Sequence, residues 1–304
     1  MKISGFCLTT NSITFQYPFI ESIKSWLPTV DELIVVDGGS TDGTIEAIEK
    51  IGSRKIRIIN DEESKWEEDW KYSRMGKNFN RGYSECSGDI IIKFDVDYIL
   101  HEDAWKSSDP KINFRAECER AFKNNALIIS FSRLNFIQPH GYFWKKQKSL
   151  AINREGLRKR NVRAIYGFDP VEWKFGYEPI TDWKIVNDVP EGTLLRQTGN
   201  THYAPHVKVF NYGFMFCDKE AFKWIRYRHV LAERRQLGRA LDISEDLPYN
   251  EHIKGCRHYM NSRVLYDITL KGHPAIIQDK IRNLKPNQMG YDLFGELPTS
   301  KYYV

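Results

Sequence analysis

Short apolar runs alternate with amphipathic stretches along the first 130 residues. The runs have the length of buried strands, and the stretches between them carry apolar residues at helical spacing. We predict strands over residues 2–8, 32–36, 55–59, 90–95 and 127–131, and helices over residues 17–26, 44–51 and 112–123. This alternation predicts an α/β fold with a mainly parallel central sheet flanked by helices.

The pattern is less regular beyond residue 132. Aromatic residues are frequent up to about residue 208, and helical spacing returns over residues 219–241 and 245–254. There is no internal repeat and no low-complexity linker in the sequence. We therefore predict one compact domain with two functional halves, residues 1–132 and residues 133–304.

Acidic residues end two of the predicted strands. Asp95 and Asp97 complete the apolar run that begins at residue 90, and their spacing of two residues points both side chains to roughly the same side. Asp37 ends the strand 32–36 and is followed by glycines and by residues that can cap a helix. Open α/β sheets bind ligands at this edge, and paired carboxylates suit a divalent cation. A solvated turn after each strand is the alternative.

Three segments together resemble the family 2 glycosyltransferases. They are Asp37-Gly38-Gly39-Ser40-Thr41-Asp42-Gly43-Thr44, Asn80 with Gly88-Asp89, and Asp95-Val96-Asp97. In that family an Asn stands eight residues before the Gly and fifteen before the first Asp of the Asp-x-Asp pair, and Asn80, Gly88 and Asp95 have the same spacing. The resemblance covers roughly the first 130 residues and is much weaker beyond them.

The resemblance implies a GT-A fold, which is Rossmann-like, a nucleotide-sugar donor, a manganese or magnesium ion, and transfer with inversion at the anomeric carbon. Residues 1–132 would bind the UDP-, GDP- or dTDP-sugar. Residues 133–304 would form a mixed half that binds a hydroxyl acceptor. The expected acceptor is a glycan, a lipid-linked saccharide or another anionic molecule, and a modified nucleic acid stays open.

The same resemblance assigns roles to the acids. Asp97 would bind the metal directly, and Asp95 would bind the metal or the ribose hydroxyls. Oxygen-only ligation suits magnesium or manganese better than zinc. Asp37 occupies the position of the family's first acid in the nucleotide site, with Gly39 beside it. Gly38 replaces the second acid of the commoner Asp-Asp-Gly-Ser pattern, which leaves the choice of base open.

Two polar segments complete the predicted donor site. Thr9, Thr10 and Asn11 end the first strand next to Asp37 and are candidates for the nucleobase; alternatively, they cap the following turn. The resemblance places Lys77, Asn80 and Arg81 near the diphosphate. Many relatives carry Arg directly before the Asn, whereas this chain has Phe79, so a phosphate role could pass to Lys77 or Arg81. A solvated helix face is the alternative.

The resemblance implies that an acidic residue of the second half, often in a Glu-Asp pair, is the general base for the acceptor hydroxyl. Ser244-Glu245-Asp246 is the best match, with Asp246 favoured over Glu245, although the same residues could begin a helix. Other candidate acids are Asp169, Glu178, Asp182 and Asp188. The resemblance to GT-A enzymes also implies a late His as a third metal ligand. His206 and His273 are predicted for this role, with His202 as another candidate, although a single His is more often structural.

The charge of the chain bears on what the protein could bind. The formal net charge is +5, and basic residues cluster over residues 145–163 and 226–239. A solvated surface is the simpler interpretation, and an anionic acceptor or contact with a membrane surface is the functional one. We expect no stable nucleic-acid complex. The oligomeric state stays open.

The five cysteines are widely spaced without a Cys-x-x-Cys pair, which favours neither a disulfide framework nor a zinc site. No apolar run approaches the length needed to cross a bilayer. The first residues are typical of a strand rather than of a secretory signal. We therefore expect a cytoplasmic protein.

Two other classes of function remain open. A sugar nucleotidylyltransferase normally has a Gly-rich, basic loop after the first strand, and residues 9–14 contain no glycine. A non-enzymatic protein that binds nucleic acid or glycan would use the basic and aromatic segments alone, without the acids at the strand ends.

Overall fold

A computed structural model describes most of the chain. The described residues are 1–61, 72–144, 148–160, 162–166, 183–187, 201–225, 253–254 and 266–294. Asp246, Glu245 and most of the predicted helices 219–241 and 245–254 lie outside these ranges. Residues 219–225 and 253–254 are helical.

The first half of the chain forms a parallel sheet. Its strands are β1 (Ile3–Thr9), β2 (Glu32–Asp37), β3 (Ile56–Asn60) and β4 (Ile90–Lys93). They are ordered β4-β1-β2-β3, and every neighbouring pair is parallel. All four were expected from the apolar runs, and the predicted α/β class with a mainly parallel central sheet is confirmed.

Helices cover both faces of this sheet. α1 (Phe19–Trp26) and α2 (Thr44–Glu49) pack in one hydrophobic cluster, to which they contribute Phe19, Ile23, Trp26 and Ile48. α3 (Tyr72–Glu85) packs on the opposite face through Phe79. Burial on both faces explains why β1, β2 and β4 are largely apolar rather than apolar at alternate positions only.

The second half extends the same sheet with strands of mixed direction. Its elements are β5 (Tyr98–Leu100), α4 (Asp103–Lys106), α5 (Phe114–Lys123), β6 (Ile128–Gln138), β7 (Gly141–Trp144), β8 (Lys148–Asn153) and β11 (Thr201–Asn211). β8 is antiparallel to both β4 and β6, and β11 is parallel to β6 but antiparallel to β5. The predicted boundary after residue 132 falls within β6, so one sheet serves both halves.

Smaller elements complete the described chain. They are α6 (Arg154–Lys159), the antiparallel pair β9 (Val162–Tyr166) and β10 (Trp183–Asn187), β12 (Tyr266–Asp267), a 3-10 turn (Leu270–Gly272), α7 (Ala275–Arg282) and α8 (Met289–Phe294). A cluster that includes Phe136, Tyr212 and Ile277 packs the last helices against β6 and β11. Among the described helices, none is both long and apolar enough to cross a membrane.

α1 fixes the chain where it leaves β4. Trp26 stacks on Phe94 with ring centroids 4.9 Å apart, and its indole N–H donates to the Tyr98 carbonyl over 3.0 Å. The Ser22 hydroxyl donates to the same carbonyl over 2.6 Å. Both helix residues are buried. The segment between Phe94 and Tyr98, which contains the two acids, is therefore held at both ends.

Candidate active site

A cavity of about 320 Å³ opens at the carboxyl ends of β1 and β4. Thr9 and Thr10 line it from β1, and Asp95 and Asp97 line it from the segment after β4. The other lining residues are Leu8, Ser12, Tyr17, Met75, Phe79, Val96, Tyr98, Asn211, Gly213 and Phe214. The acids and the threonines thus lie at the edge of the sheet where α/β folds bind ligands.

The two acids differ in their surroundings. Burial and the neighbouring Asp95 raise the pKa of Asp97 to about 7. One of its carboxylate oxygens, Oδ1, is buried without a hydrogen-bond partner. The pKa of Asp95 is lowered: burial acts to raise it, but the charge of Lys93 and a hydrogen bond from Lys93 outweigh that effect.

Lys93 is a site residue that sequence reasoning missed. Its ammonium contacts Asp95 Oδ1 and lies 4.5 Å from the centre of the Phe79 ring. The residue is 2% exposed. The only sequence signal is a Lys within an otherwise apolar strand.

Arg133 is a second cation near the acids. Its guanidinium donates to the Tyr98 hydroxyl and lies 5.6 Å from the centre of the Tyr98 ring. The pKa of Arg133 is raised although burial acts to lower it, because Tyr98, Asp95 and Asp97 all favour its charge. Arg133 lies on β6, so only the long-range pairing of the second half brings it here.

Asp37 accepts the hydrogen bonds that hold the turn after β2. Its Oδ2 accepts backbone N–H groups from Gly39 over 3.0 Å and from Ser40 over 2.8 Å, and Oδ1 accepts the Ser40 hydroxyl over 2.5 Å. Burial raises its pKa, against the lowering effect of these hydrogen bonds. Asp37 and Gly39 do not line the cavity described above. Asp37 pairs with Thr9 in the sheet register, so it lies beside the predicted nucleobase segment.

The nucleobase candidates divide into two kinds. The side chains of Thr9 and Thr10 are hydrogen-bonded locally, to the Ser12 hydroxyl over 2.7 Å and to the Thr9 carbonyl over 2.7 Å, and both residues line the cavity. Asn11 instead joins two loops, because its Oδ1 accepts the backbone N–H of Thr41 over 2.8 Å. Its φ of 45° is one that Asn tolerates better than most residues.

α3 presents its apolar side to the cavity. Met75 and Phe79 line the wall, whereas Lys77 and Arg81 are exposed and do not line it. Arg81 is directed to the Asn60 carbonyl, 3.5 Å away. The structure therefore does not bring the predicted phosphate residues Lys77 and Arg81 into this cavity. Asn80 is half-buried and is also outside the lining.

The predicted histidine ligands are not at the acids. His273 is fully buried, and its ring nitrogens are hydrogen-bonded to the Tyr212 hydroxyl and the Pro139 carbonyl, each over 2.8 Å. Both nitrogens are thus engaged, and His273 is a core residue rather than a metal ligand in this structure. His206 is exposed on β11, five residues before Asn211, which corresponds to roughly 16 Å of strand.

His202 has a different partner again. Its Nε2 lies 2.5 Å from Oε2 of the buried Glu117, on α5. Among the described residues, no third His, Cys, Asp or Glu joins the aspartates in a metal-binding cluster. The two aspartates alone still fit a magnesium or manganese ion, because such ions are often held by one or two carboxylates together with substrate phosphates and water. The unpartnered Asp97 Oδ1 supports that fit.

Residues 9–108 match the family model described as Glycosyl transferase family 2. The match includes both threonines, the Asp37 turn, α3 and both acids after β4. This part of the chain therefore resembles the family 2 glycosyltransferases, as its motifs predict, and the class of protein that it indicates is a glycosyltransferase. No curated protein shows a significant match to the chain.

Several solved glycosyltransferases resemble the chain in structure. S. aureus TarS, residues 1–349, shares 18% identity over 53% of this chain and 49% of its own, with a TM-score of 0.37. The mannosyltransferase PcManGT from Pyrobaculum calidifontis, in complex with GDP-Man and Mn2+, shares 13% identity over 78% of this chain and 63% of its own, with a TM-score of 0.42.

Glucosyl-3-phosphoglycerate synthase from Mycobacterium tuberculosis, in complex with Mn2+ and UDP-glucose, shares 22% identity over 43% of each chain, with a TM-score of 0.30. The match to TarS covers 49% of the TarS structure, so the chain spans about half of its length. All three TM-scores lie below 0.5. The family assignment rests on the match over residues 9–108 and on the sheet topology.

Proposed function

We propose that this protein transfers a glycosyl group from a nucleoside-diphosphate sugar to a hydroxyl acceptor, with the donor bound in the cavity at the ends of β1 and β4. The observation that carries the proposal is that one cavity is lined both by Thr9 and Thr10 and by Asp95 and Asp97. Its lining also combines polar groups with the apolar walls Met75 and Phe79, a mixture typical of cofactor sites.

Charge explains why a cation belongs in this proposal. A diphosphate close to a carboxylate costs on the order of 4 kcal/mol for each like-charge contact at 4 Å and an effective dielectric constant near 20. Asp97 and Asp95 would hold a manganese or magnesium ion there. Such an ion acts as a Lewis acid toward the leaving diphosphate. Asp97 is the better ligand, because its Oδ1 has no partner, whereas Asp95 is paired with Lys93.

The acceptor side of the proposal rests on the second half of the chain. Asn211, Gly213 and Phe214 contribute to the lining of the cavity from this half. Asp246 or Glu245 stays our prediction for the general base, and inversion stays the expected stereochemical outcome. Both depend on the family resemblance.

The anionic acceptor receives limited support from the described basic residues. In the cluster over residues 145–163, Arg154 donates to the carbonyls of Tyr83 and Cys86, and Arg158 pairs with Glu155 at 2.9 Å. Arg154 is thus used within the fold, whereas Arg158 is an exposed residue in a surface ion pair. An anionic acceptor and contact with a membrane surface stay predictions that an acceptor screen must test.

The test is a thermal-shift panel of UDP, GDP, CDP and dTDP, each with and without Mn²⁺. A ligand that binds only the folded state stabilises it by about 2.7 kcal/mol at 100 times its Kd. At least one diphosphate should raise the Tm, and Mn²⁺ should increase that shift. Asp97→Asn should remove the Mn²⁺ contribution, whereas Asp109→Asn, at an exposed loop acid, should not. If all four diphosphates leave the Tm unchanged, the proposed donor site is wrong.

Turnover separates this proposal from a nucleotidylyltransferase. A glycosyltransferase releases a nucleoside diphosphate from its sugar donor, also slowly to water. A nucleotidylyltransferase consumes a nucleoside triphosphate and a sugar phosphate and releases pyrophosphate. Assays for both products with the same preparation would decide between them.

A further inference from the structure

The ammonium of Lys93 lies behind Asp95 of the proposed donor site. β4 places Lys93 and Ile91 on the α3 side of the sheet, among Phe6, Phe79 and other buried residues. From there the side chain reaches Asp95, two residues further along and on the same side of the chain. Lys93 does not line the cavity itself.

A buried ammonium is costly unless it is paired and hydrogen-bonded. The structure offsets this cost with the Asp95 carboxylate and with the face of the Phe79 ring, 4.5 Å away. Asp95 remains 36% exposed toward the cavity in its side chain, whereas the Lys93 side chain is 2% exposed. The lysine is therefore a fixed charge behind the carboxylate, on the side away from a ligand.

Two cationic side chains, those of Lys93 and Arg133, reduce the net negative charge around Asp95 and Asp97. Lys93 balances Asp95, which leaves Asp97 as the net negative charge of the three. Arg133 is close enough to be influenced by both acids and reduces that charge further. A divalent cation entering without a diphosphate would thus meet little net negative charge and would be repelled by the ammonium behind Asp95.

We propose that Lys93 is a positioning residue that holds Asp95 and weakens the binding of a free divalent cation, so that the metal is bound firmly only together with the anionic diphosphate of the donor. This inference rests on the proposed function, since it assumes that Asp95 and Asp97 form the metal site. It predicts that the metal binds firmly only when the nucleotide is present, because the diphosphate supplies the negative charge that Lys93 neutralises at Asp95.

The experiment measures the Tm and the Kd for Mn²⁺ alone, without nucleotide, in the wild type and in Lys93→Met. Methionine keeps a long apolar side chain against Phe79 but removes the charge. The variant should have a lower Tm without metal. It should bind Mn²⁺ about tenfold or more tightly than the wild type, with a correspondingly larger thermal shift. Lys93→Met with Asp97→Asn should lose that gain.

Lys55→Met is the control. Lys55 is exposed, but its ammonium also donates to backbone carbonyls, those of Leu27 and Val30, over 2.9 and 2.8 Å and away from the cavity. Its loss should lower the Tm without changing the response to Mn²⁺. An equal or smaller Mn²⁺ response in Lys93→Met than in the wild type overturns the inference.

A folding failure of Lys93→Met still decides the question. The denatured variant would be refolded with and without Mn²⁺, since the ion would replace the missing charge beside Asp95. Recovery of folded protein only with Mn²⁺ supports the inference. The double variant Lys93→Met/Asp95→Asn is the control for folding. If that double variant folds normally and Lys93→Met fails under both conditions, the inference is overturned. Nucleotide binding by the wild type with Mn²⁺ is scored separately, so failure of this inference and failure of the donor site give different results.

Discussion

The hydroxyl of Thr10 occupies the space that a side chain at position 38 would need. A Cβ atom placed on Gly38 would lie 2.4 Å from Thr10 Oγ1. The Thr10 hydroxyl and the Gly38 backbone N–H both donate to the Thr9 carbonyl, over 2.7 and 2.8 Å. Threonine at position 10 therefore explains why a glycine replaces the second acid of the commoner family pattern.

Gly38→Asp, which restores that acid, should destabilise the protein. The new side chain must displace a hydroxyl that is buried and hydrogen-bonded, and overpacking of this kind costs about 1–3 kcal/mol. Nucleotide binding should weaken as well, because Thr10 lines the cavity. Chemical denaturation and the thermal-shift panel would measure the two effects.

A second substitution tests whether the clash is the cause. Thr10→Ala removes the hydroxyl, and the next contacts of the added Cβ, to the Thr9 carbonyl oxygen and to Thr10 Cβ, are an ordinary 3.5 and 3.6 Å. The double variant Thr10→Ala/Gly38→Asp should then be more stable than Gly38→Asp alone. Stability no higher in the double variant would mean that something other than this contact requires the glycine.

Trp26→Phe should loosen the segment that carries both acids. The substitution removes the hydrogen bond to the Tyr98 carbonyl and leaves a gap beside Phe94, which together should cost about 1–3 kcal/mol. Because Tyr98 lines the cavity, diphosphate binding should weaken too. Trp105→Phe, at a half-buried tryptophan on α4, is the control and should leave diphosphate binding unchanged. Equal binding by both variants would separate Trp26 from the site.

The parallel half of the fold could be predicted because its information is local. Each of the strands β1 to β4 is a mostly apolar run, and successive strands of this set are joined by segments that contain a helix. Asp37, Asp95 and Asp97 end such runs, so their placement at one edge followed from the alternation alone. α3 was harder, since few apolar residues, among them Met75, Phe79 and Tyr83, mark its buried side within a polar sequence.

The second half depends on pairings between residues that are distant in sequence. β8 begins with a lysine and lies between β4 and β6, and nothing in its own six residues indicates those neighbours. Arg133 and Asn211 reach the site only through such pairings. Lys93 could not be assigned to the site from the sequence, because a lysine near a strand end is usually exposed. The core position of His273, which the sequence predicts as a metal ligand, could not be foreseen because its hydrogen-bond partners lie 61 and 134 residues away.

Gly82→Ala should destabilise the protein although alanine is the better helix former. An added Cβ would lie 2.6 Å from a ring carbon of Phe6 and 3.1 Å from a methyl group of Val36. Helix propensity would gain about 1 kcal/mol, and overpacking of α3 against the sheet should cost about 1–3 kcal/mol. Ser84→Ala, at an exposed position of α3, should be neutral or stabilising. Denaturation curves in urea would compare them, and a stabilised Gly82→Ala would show that α3 packs less closely than described.

His273 should make stability depend on pH. Burial lowers its pKa to about 4, although a hydrogen bond to the Pro139 carbonyl acts in the opposite direction. In the neutral ring, Nε2–H donates to that carbonyl, which leaves Nδ1 to accept the Tyr212 hydroxyl. Protonation would put two donors at Nδ1 and a charge among Phe136 and other aromatic side chains.

The sign follows from proton linkage. An unfolded histidine titrates near pH 6.5, so below that pH the unfolded state binds a proton that the folded state refuses until about pH 4. The contribution of His273 is therefore fully present above pH 6.5 and is lost as the pH falls toward 4, by on the order of 3 kcal/mol in all.

His273→Gln can keep both hydrogen bonds but does not titrate. Urea denaturation from pH 7.5 to 4.5 should show a steeper loss of unfolding free energy in the wild type than in His273→Gln, since other groups, including His140, are common to both. Parallel curves would mean that His273 is protonated as easily in the folded protein as in the unfolded chain.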